Sequence, residues 1–187
     1  HVDRFVCFSH EIDEELEREG VPAARRVFVT NGVDTRRFAP RPADGTDSGT
    51  DDGADPGPAP FLLDGADGAE RTGPVVVFAG RLAPEKRVGL LLDAWRSLQP
   101  DHPGATLVIV GDGPEREALV AAAPPGVRFA GAVDDVAPWL RAADVFVLPS
   151  IAEGLSNAVL EAASSGLAVV ATDVGGARDV LTDGTSG

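Results

Sequence analysis

Two glutamates in the stretch PSIAEGLSNAVLEAASSG have a spacing that could serve one ligand, since Glu153 and Glu161 are eight residues apart. A carboxylate only accepts hydrogen bonds, so it is a natural partner for pairs of hydroxyl groups such as those of a sugar. Taken alone, Glu153 is as consistent with a solvated loop acid as with a ligand. Glu161 alone is consistent with a surface helix acid, although its neighbours in AVLEAAS are apolar or small. The choice depends on which other residues reach the same place.

The segment GRLAPEKR, Gly80–Arg87, supplies positive charge of a kind that suits phosphate. Arg81 and Lys86 lie on either side of a predicted helix start, where main-chain N–H groups and the helix dipole favour an anion. An arginine fork together with a lysine point charge fits a phosphate or a diphosphate. The alternative is a solvated basic loop in which Glu85 pairs with either neighbour.

The elements that position these residues alternate regularly from Pro74 onward. Five apolar runs are short, continuous and β-branched, which predicts buried strands: VVVFAG, TLVIVG, VRFAG, VFVLPS and LAVVATDV. Helices are predicted over Lys86–Leu98, Pro114–Ala123, Val136–Ala142, Ser156–Ser165 and Gly176–Leu181. The predicted buried face of the first helix is Leu90, Leu91, Ala94, Trp95 and Leu98. Alternating strands and helices predict right-handed crossovers and an α/β fold, a doubly wound parallel sheet of Rossmann type.

The order of such a sheet brings the charged residues together. The strands predicted over Val75–Ala79 and Val145–Leu148 flank the switch point, and the loops that follow them open into one crevice. The first loop carries the basic pair and the second carries the two glutamates. The N–H groups of Leu155, Ser156 and Asn157, at the predicted helix start, could face a phosphate or sugar oxygen. The combination predicts a nucleotide-sugar site.

Two further segments end near this crevice. VGDGPE contains only part of a dinucleotide-binding glycine fingerprint, after the second strand rather than the first. A tight turn at Gly111 and Gly113, with Pro114 at the first helical position, is the preferred interpretation. A contribution of this backbone to the nucleotide pocket stays open. The backbone of FAGAVDD, around Val133, could hold the edge of a base.

The first part of the chain is organised differently. A strand over Arg4–Phe8 is followed by Ser9, a predicted N-cap for an acidic helix that ends at Gly20. A second strand and a turn at Asn31–Gly32 come next. The stretch Pro42–Pro60 is rich in Asp, Gly and Pro and has little to bury, which predicts a disordered insertion.

Charge and composition exclude several classes of function. The net charge is −14, of which −6 lies within 41–73, and such a balance argues against a nucleic-acid partner. The single cysteine, Cys7, excludes a disulfide framework and predicts a buried, inert thiol. No His/Asp cluster has metal-ligand spacing, and no apolar run approaches the ~18 residues of a membrane span.

The motifs GRLAPEK, VGDGPE, PSIAEGLSNAVLEAASSGLAVVATDVGG and VFVTNGVDTRRFAP together resemble the glycosyltransferase group 1 family. Members of that family are retaining enzymes of the two-domain GT-B fold. The resemblance implies that 1–40 is the end of an acceptor domain with its crossover segment. It makes 41–73 an insertion and 74–187 the donor-binding domain. The chain is then expected to be truncated at both ends.

The resemblance also implies roles for the site residues. Arg81 and Lys86 would contact the donor diphosphate, Glu153 the hydroxyls of the sugar, and Glu161 the ribose. The implied catalytic residues are Glu153, Arg81 and Lys86. The implied donor-binding residues are Gly80, Arg81, Lys86, Gly111, Gly113, Val133, Glu153, Gly154, Leu155, Ser156, Asn157 and Glu161. No cofactor and no metal are expected, because the basic pair and the helix dipole would neutralise the leaving diphosphate.

The sequence departs from the family pattern in three respects. Arg87 follows the lysine where the family usually has glycine, and Asp179 stands where a glutamate commonly follows VGG. Most of the acceptor domain is missing, so this chain alone is expected to be nearly inactive, since positioning of the acceptor supplies much of the rate.

The expected partners are a UDP- or GDP-hexose and a glycan, lipid-linked or small-molecule acceptor. No nucleic acid is expected. The expected location is cytoplasmic or at the inner face of the membrane, where loose association would need regions outside this chain. Alternatives are a nucleotide-sugar epimerase of GT-B fold and a non-catalytic nucleotide-sugar binding module. A plain NAD-binding domain fits least, because its glycine fingerprint is incomplete and displaced.

Overall fold

The computed structural model describes residues 2–41 and 72–185. The insertion predicted over 41–73 therefore lies outside the described residues, except for residues 41, 72 and 73. In chain order the elements are β1 (Phe5–Cys7), α1 (His10–Arg18), β2 (Arg26–Phe28), β3 (Val75–Ala79), α2 (Val88–Leu98), β4 (Thr106–Val110), α3 (Arg116–Ala122), β5 (Val127–Gly131), α4 (Ala137–Ala142), β6 (Val145–Leu148), α5 (Asn157–Ser164), β7 (Ala168–Ala171) and α6 (Ala177–Val180).

Five strands form one parallel sheet in the order β5-β4-β3-β6-β7. Strand β3 pairs with β4 on one side and with β6 on the other. The chain therefore moves outward from β3 to β5, returns to β6 beside β3, and then moves outward the other way. This reversal is the switch point at which such sheets bind ligands. The predicted fold class and all five predicted strands are confirmed.

The centre of the sheet is buried because helices cover both of its faces. Every residue of β4, TLVIV, is buried, which is the pattern that a central strand of a parallel sheet requires. Phe78 in β3 and Phe146 in β6 are fully buried. Trp95 in α2 and Trp139 in α4 are also buried, so both tryptophans belong to the core, as predicted.

The first part of the chain forms a smaller unit in which β1 and β2 pair in parallel. The predicted N-cap is confirmed, since Ser9 Oγ accepts a hydrogen bond from Ile12 N at 3.3 Å. Cys7 is fully buried, as predicted. This unit is bonded to the end of the larger one: Asp179 accepts from His10 N at 2.8 Å, and its other carboxylate oxygen lies 2.8 Å from His10 Nδ1.

The prediction for α2 is wrong in its start and in its buried face. A 3-10 turn over Pro84–Lys86 precedes the helix, and Arg87 stands between them in the left-handed region with a φ of 49°. The helix therefore begins at Val88 rather than at Lys86. Its buried residues are Val88, Leu91, Leu92 and Trp95, whereas three of the predicted five are exposed: Leu90, Ala94 and Leu98.

Two turn predictions are also wrong. No turn is formed at Asn31–Gly32. The turn of this segment falls over 35–37, and the Asn31 side chain instead reaches another part of the molecule. Helix α3 begins at Arg116, so Pro114 lies in the preceding turn and not at the first helical position.

Candidate functional site

An open cavity of about 390 Å³ lies at the carboxyl edge of the sheet, at the switch point. It is lined by the ends of β3 and β4, by the segment after β5 and by the start of α5. Six predicted donor-binding residues line it: Gly80, Arg81, Gly111, Val133, Asn157 and Glu161. The structure thus brings together residues that are up to 81 positions apart in the chain, as the predicted topology requires.

The backbone of two neighbouring loops forms one wall of this cavity. A Cβ added to Gly111, whose φ is +128°, would lie 1.9 Å from Gly80 O. A Cβ added to Gly113 would lie 2.3 Å from Leu82 O. Leu82 N donates to Asp112 O at 2.9 Å, so the two loops are also hydrogen-bonded. These glycines let the loops touch, which agrees with the tight-turn interpretation. Gly111 contributes backbone to the cavity as well.

Lys86 and Glu153 form an ion pair with each other. Lys86 Nζ lies 2.5 Å from Glu153 Oε1, and the two side chains are mostly buried. A second bond joins the same loops, because Ile151 N donates to Glu85 O at 2.9 Å. The sequence offered Glu85 as a partner for Lys86. In the structure the partner is instead Glu153, which lies on the other side of the switch point. The cation and the acid predicted for one ligand meet in the structure.

The loop that carries Glu153 is held by residues that the sequence interpretation did not assign to the site. A Cβ added to Gly175, whose φ is +58°, would lie 2.2 Å from Glu153 O. Gly176 N donates to Gly154 O at 2.8 Å. Asn31 Nδ2 donates to Leu155 O at 2.9 Å across 124 positions of sequence. The VGG motif and the Asn-Gly pair were the available signals, and both act by packing against this loop.

Gly154, Leu155 and Ser156 line a smaller pocket together with Glu153, between the ends of β6 and β7. Ser156 is the N-cap of α5, and Asn157, the first residue of the helix, lines the large cavity. The first N–H groups of an α-helix have no intrahelical acceptor, and the helix dipole adds positive potential there. The start of α5 can therefore bind an anion placed between the two glutamates.

Glu161 lies in the second turn of α5 and is half-buried against the cavity. Burial raises the pKa of its carboxyl above the ordinary value. The positive charge of Arg37 acts in the opposite direction, and the negative charge of Asp135 raises the pKa further. Arg37 comes from the segment after β2 and was not predicted to be near the site. The path of its segment, which is bonded to α4 and α5, brings it there, and the sequence does not show that path.

No helix in 2–41 or 72–185 is long and apolar enough to cross a membrane. Within the same ranges, no set of three or more His, Cys, Asp or Glu side chains could hold a metal ion.

The parallel five-stranded sheet matches the Rossmann-like domains of GT-B glycosyltransferases. Residues 73–187 match the family described as Glycosyl transferases group 1, and the chain belongs to that family. The resemblance stated from the motifs is thereby confirmed.

Two curated relatives from Mycobacterium tuberculosis match almost the whole chain. A GDP-mannose-dependent alpha-mannosyltransferase is 37% identical over 99% of this chain and 43% of its own length. A glycogen synthase is 32% identical over 97% of this chain and 40% of its own length. The chain thus spans less than half of the length of these relatives.

Solved structures agree on the fold. The Anabaena protein HepE, solved in complex with UDP-glucose, superposes with a TM-score of 0.74 over 96% of this chain and 47% of its own. The two sequences are 22% identical.

Proposed function

We propose that this chain is the donor-binding part of a retaining glycosyltransferase, which moves a hexose from a UDP- or GDP-linked sugar to an acceptor hydroxyl. The observation that carries the proposal is the cavity at the switch point, which Arg81, Asn157 and Glu161 line together, with Glu153 in the loop that leads into α5. The names of the relatives and neighbours, which include GDP-mannose and UDP-glucose, support a nucleotide-sugar donor.

In the proposed complex Arg81 and Lys86 hold the diphosphate. Arg81 is exposed at the cavity and ready for an anion, whereas Lys86 must first leave Glu153. The donor provides a replacement for both partners: its phosphate oxygens accept from Lys86, and its sugar hydroxyls donate to Glu153. Binding then exchanges one ion pair for two sets of charge-assisted bonds.

Glu161 accepts the ribose hydroxyls at the other end of the donor. The N–H groups at the start of α5 and the basic pair stabilise the negative charge that grows on the diphosphate as the sugar leaves. The acceptor hydroxyl would attack the anomeric carbon on the face from which the diphosphate departs and pass its proton to a diphosphate oxygen, so the anomeric configuration would be retained. Because these groups neutralise the leaving diphosphate, the reaction needs no resident metal in this proposal. A cytoplasmic setting is proposed, because nucleotide sugars are made there.

Thermal unfolding with added nucleotide tests the donor site. A ligand at 100 times its dissociation constant stabilises the folded state by about 2.7 kcal/mol. We expect such a shift with UDP or GDP but not with NAD, and its loss in Glu161→Ala and Arg81→Ala. Arg18→Ala, at the exposed end of α1, is the control and should keep the shift. A cooperative transition that no nucleotide moves would contradict the proposal.

Sugar transfer to an acceptor is tested with the full-length protein. The first-formed product is expected to keep the anomeric configuration of the donor in its proton NMR spectrum, with activity in the presence of EDTA. Release of a free epimerised sugar would point to an epimerase instead. Saturable nucleotide binding without transfer to any acceptor would point to a binding module.

A further inference from the structure

The segment after β2 contributes a cation to the cavity rim. Arg37 Nη2 and Nε donate to Asp135 Oδ1 at 2.8 and 3.3 Å, and the guanidinium carbon lies 5.4 Å from the centre of the Phe38 ring. Asp135 lies between Val133 and Val136, both of which line the cavity. Arg37 is thus placed at the same rim as Glu161 although 124 positions separate them.

The backbone around Arg37 is fixed in place. Arg37 N and Arg36 N donate to Asp34 Oδ1, and Arg37 O accepts from Arg141 Nη1 at 3.2 Å. Phe38 is buried in the core, and its carbonyl oxygen accepts from Ser164 Oγ at the end of α5. Bonds to α4 and α5 therefore hold this segment over the helix that carries Glu161. These bonds fix the backbone from which the Arg37 side chain extends towards the cavity rim.

The charges at this rim oppose one another. Arg37 and Glu161 attract, whereas Asp135 and Glu161 repel. Desolvation alone would raise the pKa of Asp135, but the bonds from Ala137 N and Arg37 outweigh it and hold that pKa below its ordinary value. Asp135 is therefore a carboxylate at neutral pH, and its repulsion of Glu161 is balanced by Arg37. The other charged groups that face this region are Arg141 on α4 and, across the cavity, Arg81 and Asp112.

We propose that Arg37 is a positioning residue of the nucleotide site: its bonds to Asp135 offset the negative charge that this carboxylate places near Glu161, the acceptor of the ribose hydroxyls. This inference rests on the proposed function, since it concerns the same site. A neutral carboxyl has one strong acceptor fewer and carries a proton that competes with the hydroxyls, so ionisation is what the ribose contact needs. The role of Arg37 is electrostatic and is performed through Glu161 without contact to the reacting atoms.

The direct test is a carbon-13 NMR titration of the Glu161 carboxyl in the chain without ligand. We expect its midpoint to move up in Arg37→Gln and down in Asp135→Asn, which keeps the acceptor for Ala137 N. Arg37→Lys should lie close to wild type. Arg36→Gln, a neighbouring exposed cation, is the matched control and should not move it. Equal midpoints in wild type and Asp135→Asn, or in wild type and a folded Arg37→Gln, would overturn the inference.

Calorimetric titration with UDP and, separately, GDP links this charge to binding. Arg37→Gln removes a partly exposed charge interaction with Glu161. We therefore expect the variant to bind the nucleotide roughly twofold to fivefold more weakly at about pH 5, with a smaller loss of affinity at about pH 8. In the Glu161→Gln background, removal of Arg37 should not weaken nucleotide binding further. A loss that is the same at both pH values would overturn the inference while leaving the proposed function intact. If wild type binds neither nucleotide, the proposed function fails and the inference with it.

Discussion

Lys86 Nζ lies 2.5 Å from Glu153 Oε1, and the two side chains are only 20% and 12% exposed. Each residue is therefore the other's main electrostatic partner in the unliganded site. In the proposed donor complex the two charges have to separate, which makes the energy of this pair part of the binding equilibrium.

The first prediction concerns the energy of this pair. A double-mutant cycle of Lys86→Met and Glu153→Gln, measured by urea unfolding, should give a coupling energy of about 1–3 kcal/mol without ligand, because each single variant leaves a partly buried group unpaired. With saturating UDP or GDP the coupling should fall towards zero. In addition, Glu153→Gln should bind the nucleotide at least as well as wild type, while Lys86→Met binds it less well. Coupling that persists in the complex would show that Lys86 does not leave Glu153.

The second prediction concerns Arg87. Its φ of 49° is in the left-handed region, which costs a residue with a Cβ about 1 kcal/mol and which glycine adopts freely. Arg87→Gly should therefore raise the free energy of unfolding by about 0.5–1 kcal/mol, even though it adds backbone freedom to the unfolded chain.

Arg87→Ala provides the control, since it removes the charge and keeps the Cβ. It should leave the stability within about 0.5 kcal/mol of wild type. If both variants change stability equally, charge rather than backbone conformation is responsible.

The third prediction concerns Gly175. A methyl group there would collide with the carbonyl oxygens of Glu153 and Gly154, at 2.2 and 2.3 Å. Gly175→Ala should cost at least about 2 kcal/mol of stability, since backbone atoms must move. Because the displaced loop carries Glu153, nucleotide-sugar affinity should fall more than affinity for the nucleotide alone. Gly32→Ala, where nothing lies within 4 Å of the new Cβ, should change neither property.

The fourth prediction concerns Glu161 and pH. Burial raises the pKa of Glu161, so above that pKa the folded protein holds a charge that is better solvated in the unfolded chain. Glu161→Gln should therefore raise the melting temperature by about 1–3 °C at about pH 8, and the gain should shrink as the pH falls below the ordinary glutamate pKa, where the carboxyl becomes protonated in both states.

The matched control for this experiment is Glu117→Gln on the exposed surface of α3. It should show no comparable gain at either pH. A Glu161→Gln variant that is less stable than wild type at about pH 8 would mean that Arg37 more than offsets the cost of burial.

The strands could be predicted from the sequence because parallel, doubly covered strands need continuous β-branched runs, and VVVFA and TLVIV have them. The start of α2 and its buried face could not be predicted from the sequence. The residues before it are compatible with a helix, but Pro84–Lys86 closes a 3-10 turn, and Arg87 rotates the helix so that Leu92 rather than Leu90 is buried.

The site was predictable where it follows from strand order and not where it depends on side-chain reach. Arg81 and Glu161 meet because the loops after β3 and β6 share one crevice. The pairing of Lys86 with Glu153 requires the actual loop conformations. The placement of Arg37 requires the path of the segment after β2, which is rich in charge but has no periodic pattern to indicate its course.

The contact between the loops after β3 and β4 has a consequence for how this domain can diversify. At Gly111 and Gly113 any side chain would strike the backbone of the neighbouring loop, so those positions are closed to mutation. The cavity is also lined by Ala132, Val133 and Val136, which carry side chains. Substitutions can therefore reshape the cavity at these positions but not at the two glycines. A library confined to these three positions searches the part of the pocket that selection can still change.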